Sequence, residues 1–159
     1  MRIADDTLRE LSPQIVIVNA YGLTECTITC CAKRLESSYN ITIGGPINNT
    51  KIYVLDAFGN ILPPYAVGEL VITGESVGRG YMNLPEKTAA SFFRLRGMPA
   101  YHSGDLVRLN TAGEVEFFGR RDNQVKLRGF RIELDEIEKC IFRAAPGGCL
   151  LQKGEGAER

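Results

Sequence analysis

Three short stretches carry side chains whose types and spacing could do chemistry. Residues 119–138, GRRDNQVKLRGFRIELDEIE, have their charges sorted. Arg120, Arg121, Lys126, Arg128 and Arg131 come first, opposed only by Asp122, and Glu133, Asp135, Glu136 and Glu138 follow without a base among them. A basic arm that leads into an acidic segment suits closure over a polyanion, and the acidic end suits the first turn of a helix, where carboxylates meet the positive end of the dipole. Residues 19–25, NAYGLTE, offer an aromatic face in Tyr21, a backbone without Cβ at Gly22, a hydroxyl donor in Thr24 and a hard oxygen ligand in Glu25. Residues 101–106, YHSGDL, contribute Asp105, a carboxylate able to accept from two hydroxyls at once. His102 is the one histidine in the chain, and it is expected to be a surface side chain rather than a catalytic base.

The elements that position these groups follow from periodicity. Residues 14–18 (QIVIV) are a short apolar run, which predicts a buried parallel strand. That places NAYGLTE at the strand's C-terminal end, where open α/β sheets put ligands. From Ile41 the pattern turns to β. Residues 51–56 (KIYVLD) and 68–73 (GELVIT) read as strands, 105–109 and 114–118 as a hairpin across 110–113, and 85–93 as a short helix with Pro85 at its start. Short strands with glycine turns suggest a small, partly closed barrel. In 119–138 the alternation of Val125 and Leu127 changes parity to Phe130, Ile132 and Leu134, so a bulge or tight turn belongs at Gly129. An amphipathic helix is expected over 134–144.

Composition narrows the classes. The chain has 159 residues, 44% of them hydrophobic and 24% charged, as in ordinary globular protein. Nineteen bases balance nineteen acids, so no global field draws it to nucleic acid or to a membrane, and any phosphate site must be local. No apolar run approaches a membrane span, and residues 1–10 do not read as a signal peptide. Five cysteines, an odd number, imply free thiols in a reducing, cytoplasmic setting. The spacing of Cys26, Cys30 and Cys31 fits no common zinc pattern, which favours buried thiols.

Taken in order, the motifs resemble those of the adenylation domains of nonribosomal peptide synthetases, which stand with acyl-CoA synthetases and luciferases in one adenylate-forming superfamily. Residues 119–138 resemble the pattern GRxDxQVKxRGxRIExxEIE. Residues 19–25 resemble NxYGPTE, with Leu23 where proline is usual. Residues 68–93 resemble GELxIxGxxxARGYxxxPExTxxxF, with Gly78 in place of alanine, and 101–106 resemble Y(R/K)TGDL, with His102 and Ser103 as the departures. The likeness runs to about Ala144.

The resemblance implies an α/β fold, α+β within this chain. Residues 1–121 would be the C-terminal part of the large adenylation subdomain, with a strand–loop site at 14–29 and a β-rich, barrel-like region at 41–118. Residues 122–159 would be a hinge at Asp122 and the start of the small α+β lid subdomain. It also implies roles. Asn19, Tyr21, Gly22, Thr24, Asp105 and Arg120 would bind the nucleotide, Tyr21 facing adenine and Asp105 taking the ribose. Glu25 would hold Mg²⁺. Thr24, Glu25, Arg120 and Lys126 would serve catalysis. Ala20, Ile28 and Thr29 would line a pocket for an apolar or bulky amino acid. Lys126, Gly129 and Arg131 would enter the site for thioester formation. ATP and Mg²⁺ are the implied cofactors, and a peptidyl carrier domain bearing phosphopantetheine is the implied partner. The family's upstream phosphate loop and downstream lysine are not matched, so the chain alone is expected to be inactive. Two alternatives stay open. One is an acyl- or aryl-CoA ligase fragment, although RGFRIELDEIE differs from the ligases' GxxIxPxEIE pattern. The other is a truncated, non-catalytic interaction piece.

Overall fold

The computed structural model describes residues 15–35 and 42–121, the strand backbones at 124–127 and 130–133, and helical residues at 137 and 140–143. The chain divides after Gly119 into two compact units.

In the first unit strands dominate. Strand β1 (Ile17–Tyr21) leads through a 3-10 turn, Thr24–Cys26, into β2 (Cys31–Leu35), and β3 (Gly45–Pro46) follows. These form one sheet in the order β1-β2-β3. The second sheet contains β4 (Thr50–Leu55), β5 (Gly68–Gly74), β6 (Phe92–Leu95), β7 (Met98–Leu109) and β8 (Val115–Arg120), with one helix, α1 (Pro85–Ser91), before β6. Its order is β4-β5-β7-β6, and β8 also pairs with β7, which gives a curled half-barrel. Every residue of β5 is buried. Leu70, Ile72, Val54, Val107, Val115 and Tyr101 make one core with Leu23, Cys26, Cys30 and Cys31, so the two sheets share it.

Local chemistry accounts for the connections. Arg96 and Gly97 both have positive φ, the conformation of a two-residue hairpin turn, and they join β6 to β7 where Leu95 faces Met98. Asn110 Oδ1 accepts from the Ala112 and Glu114 amides and so closes the β7–β8 turn.

Several expectations are corrected here. The apolar run at 14–18 is not a buried parallel strand. β1 begins at Ile17, pairs antiparallel with β2 from Ile17↔Leu35 to Tyr21↔Cys31, and leaves Ile15, Val16 and Val18 more than half exposed. Asn19, Ala20 and Tyr21 therefore lie within a strand rather than in a loop after one. The turn at Thr24–Cys26 reverses the chain at once, and a reversal that short can only bring back an antiparallel neighbour. Likewise the strand expected over 105–109 begins earlier, and YHSGDL lies in the middle of the 12-residue β7.

In the second unit, β9 (Gln124–Leu127) and β10 (Phe130–Glu133) pair antiparallel. Leu127 faces Phe130 and Val125 faces Ile132. The parity change in the sequence thus falls between two strands that pair antiparallel. Gly129 and Asp122 lie outside the described residues.

Candidate functional site

β1 alternates in burial, with positions 17, 19 and 21 half-buried and 18 and 20 exposed. Tyr21 thus faces inward. Its hydroxyl donates to Oδ2 of Asp105, from β7, which is 3% exposed. Burial, and then the neighbouring Asp105 carboxylate, push the Tyr21 phenol well above its usual range, so it remains a donor. This one bond joins two motifs separated by 84 positions. Asn19, on the same face, donates from Nδ2 to the Thr42 carbonyl at 2.8 Å.

Gly22 is explained by packing. A Cβ there would stand 1.7 Å from the Ile28 carbonyl oxygen and 2.7 Å from Thr29 Cα. The close approach for which a glycine is needed is to the chain's own returning backbone. Leu23, at the position where the resembling motif carries proline, is a buried core residue, and its carbonyl accepts from the amides of Cys26 and Ile28. The turn that follows is tight: Thr27 and Ile28 both have positive φ, which is uncommon for β-branched residues.

The loop from Gly74 to Tyr81 wraps this turn. Thr27 Oγ1 donates to the Ser76 carbonyl at 2.8 Å, the Gly78 amide donates to the Glu25 carbonyl at 2.8 Å, and Tyr81 donates its hydroxyl to Glu25 Oε1 at 2.8 Å. Tyr101 reaches the Tyr81 hydroxyl at 3.2 Å, and the Phe92 ring packs edge-on against Tyr81. Burial, Tyr101 and Glu25 together raise the Tyr81 phenol above its usual range. This loop thus holds the Glu25 carboxylate, a contact that periodicity could not reveal because Tyr81 lies 56 residues away.

Thr24 and Ile28 are exposed, Ile28 at 78%, while Thr29 is half-buried and Ala20 is exposed. Arg120 ends β8, and Lys126 and Arg131 are cross-strand partners in the β9–β10 hairpin. His102 is not a plain surface side chain. Its ring stacks on Phe93 at 4.3 Å, and its Nδ1 lies 3.3 Å from Oε2 of Glu69. The thiols of Cys26, Cys30 and Cys31 are free and buried, as expected, and burial pushes Cys26 up to about 12. Among the described residues no group of three or more His, Cys, Asp or Glu side chains could hold a metal, and no helix is long and apolar enough to cross a membrane.

The family model for AMP-binding enzymes matches residues 2–82, just over half of the chain. The chain belongs to the AMP-binding enzyme family. Among its relatives, the D-alanine–D-alanyl carrier protein ligase of Streptococcus agalactiae is 42% identical over 142 residues, 86% of this chain and 28% of that one. The solved structure of a nonribosomal peptide synthetase protein containing adenylation and carrier domains, bound to a vinylsulfonamide inhibitor, matches at 36% identity with a TM-score of 0.78. That match covers 86% of this chain and 25% of the other. A Vibrio cholerae adenylation domain in complex with glycyl-adenosine-5'-phosphate matches at 33% identity and TM-score 0.75, over 84% of this chain and 27% of that one. As an AMP-binding enzyme chain, it thus spans between a quarter and a third of these proteins' lengths.

Proposed function

We propose that this chain is the part of an amino-acid-activating adenylation domain that holds the adenosine and the metal. In the reaction assigned to the whole domain, a carboxylate oxygen of the amino acid attacks the α-phosphorus of ATP and pyrophosphate leaves. The thiol of a carrier's phosphopantetheine then attacks the acyl carbon and AMP leaves. The observation that carries this reading is the meeting of Tyr21 and Asp105, which turns two distant motifs into one site. A carboxylate held beside a tyrosine by the phenol hydroxyl suits a ribose beside a flat base.

Asp105 would accept from the ribose hydroxyls, and Tyr21 would offer its face to adenine. Thr24, exposed at the start of the turn, would donate to a phosphate oxygen. Glu25 fits Mg²⁺: it is one hard oxygen donor, fixed by Tyr81, and Mg²⁺ commonly takes one or two protein carboxylates and fills its other positions with phosphate oxygens and water. The ion, when bound, would offset charge on the phosphates. Arg120 would add a cation near ribose or phosphate. Lys126, Gly129 and Arg131 would serve thioester formation after movement about Asp122. The carrier named for the Streptococcus relative and the glycyl adenylate held by the Vibrio domain support an amino acid and a carrier as the parent's substrates. An apolar or bulky amino acid, with Ala20, Ile28 and Thr29 as pocket residues, and a cytoplasmic setting belong to the same proposal.

A chimera tests it. This chain would replace the matching segment of the Streptococcus ligase, and amino-acid-dependent ATP–pyrophosphate exchange would be measured. Exchange is expected to persist. Asp105→Ala, which removes charge-assisted bonds worth about 1.5–3 kcal/mol, should lower it about tenfold to a few hundredfold. Lys126→Ala should spare exchange and slow loading of the carrier. A folded chimera in which Asp105→Ala changes nothing would remove Asp105 from the site.

A further inference from the structure

Asp105 lies within a strand, yet the pleat alone does not set its direction. β5 and β7 pair antiparallel, with Glu69 opposite Leu106 and Val71 opposite His102. Between those pairs β5 has only Leu70, whereas β7 has Ser103, Gly104 and Asp105. The motif that carries the carboxylate is therefore a bulge in the middle of the sheet. Gly104 has φ +74, a conformation that favours glycine.

A bulge leaves backbone groups without ladder partners, and buried ones must find others. Two side chains supply them. Ser103 Oγ donates to the Leu70 carbonyl at 2.6 Å and accepts from the Asp105 amide at 3.0 Å. The Gly104 amide donates to Glu69 Oε1 at 3.0 Å. Glu69 is 6% exposed, in a strand that is otherwise apolar apart from Thr73 and its glycines. A carboxylate is costly to bury there unless it is bonded, and one of its oxygens accepts from the bulge amide while the other lies 3.3 Å from His102 Nδ1.

We propose that Glu69 is a positioning residue for Asp105: its carboxylate holds the Ser103–Asp105 bulge through the Gly104 amide and so aims the Asp105 carboxylate at Tyr21 and at the nucleotide. Its effect on nucleotide binding rests on the functional reading above, while its effect on Tyr21 does not. Glutamine at 69 keeps a carbonyl acceptor and loses the charge. Alanine loses both.

The test uses the chain itself, labelled with ¹³Cζ-tyrosine and ¹⁵N, together with AMP titration of the chimera. Glu69→Ala should move the Tyr21 Cζ resonance most of the way to its position in Asp105→Ala, and it should move it no further in the Asp105→Ala background. Glu69→Gln should leave Tyr21 close to its original position and shift the Gly104 amide proton upfield, because the acceptor has lost its charge. AMP affinity should fall about tenfold in Glu69→Ala and recover to within about twofold in Glu69→Gln. A Tyr21 resonance unmoved in folded Glu69→Ala overturns the proposal. Should that variant not fold, an unmoved Gly104 amide in Glu69→Gln overturns it equally. If Tyr21 moves while AMP affinity holds, the positioning role stands and the nucleotide role of Asp105 is lost.

Discussion

Tyr21 and Asp105 show how much of a site can depend on one bond. The phenol is kept protonated by burial and by the carboxylate it faces, and the carboxylate is nearly covered. Each residue makes the other tolerable in the interior. Removing the hydroxyl alone should therefore cost stability, because it takes one donor from a buried acceptor and leaves the rest of the pair in place. Tyr21→Phe is expected to destabilise the chain by about 1.5–3 kcal/mol. Urea unfolding should show a lower midpoint at constant slope. An unchanged midpoint would mean that Asp105 is satisfied without Tyr21.

Turns and loops, rather than regular strands, place the remaining groups. The Thr24–Cys26 turn holds Thr24 and Glu25, and the Gly74–Tyr81 loop fixes it by three hydrogen bonds. The tightness of that turn is set where the returning chain crosses Gly22. In Gly22→Ala, the new Cβ would collide with the Ile28 carbonyl, which is backbone and cannot rotate away. The expected cost lies at or above the upper end of about 1–3 kcal/mol, and thermal melting should register it. Gly113 is the control for steric crowding, since nothing lies within 4 Å of a Cβ there, although its φ of +75 still adds strain on substitution. Equal losses at the two positions would mean that conformation rather than contact makes Gly22 necessary.

At the scale of the whole molecule, the apolar run at 15–18, which leads into β1, is one exposed feature. Ile15, Val16 and Val18 are each more than half exposed, and β1 is an outermost strand of its sheet among the described residues. An apolar edge strand of this kind is a template for pairing with another chain. The isolated chain is expected to self-associate, and Val16→Lys with Val18→Lys should reduce light scattering at equal concentration. The chain spans 28% of the Streptococcus ligase it matches, and on its own it is expected to give no amino-acid-dependent exchange. A double-lysine variant that associates as strongly as the original would place the contact on another surface.

The sequence by itself determined which residues are chemically capable and roughly where most of the elements fall. Apolar alternation marked β4, β5 and the β7–β8 hairpin, and Pro85 marked the start of α1, because these signals are local. The motifs of Tyr21, Glu25 and Asp105 were legible for the same reason. Tertiary structure decided which of these residues meet. The apolar run before Asn19 could be buried on one face or two, and only its antiparallel partner settled that one face is bare. Nothing local tells Asp105 that it will face Tyr21, or Glu25 that Tyr81 will hold it, since those contacts span 84 and 56 positions. The bulge at Ser103–Asp105 is invisible in β7 alone, because an extra residue exists only relative to the strand beside it. Glu69, read simply as part of a strand, acquires its role from that register.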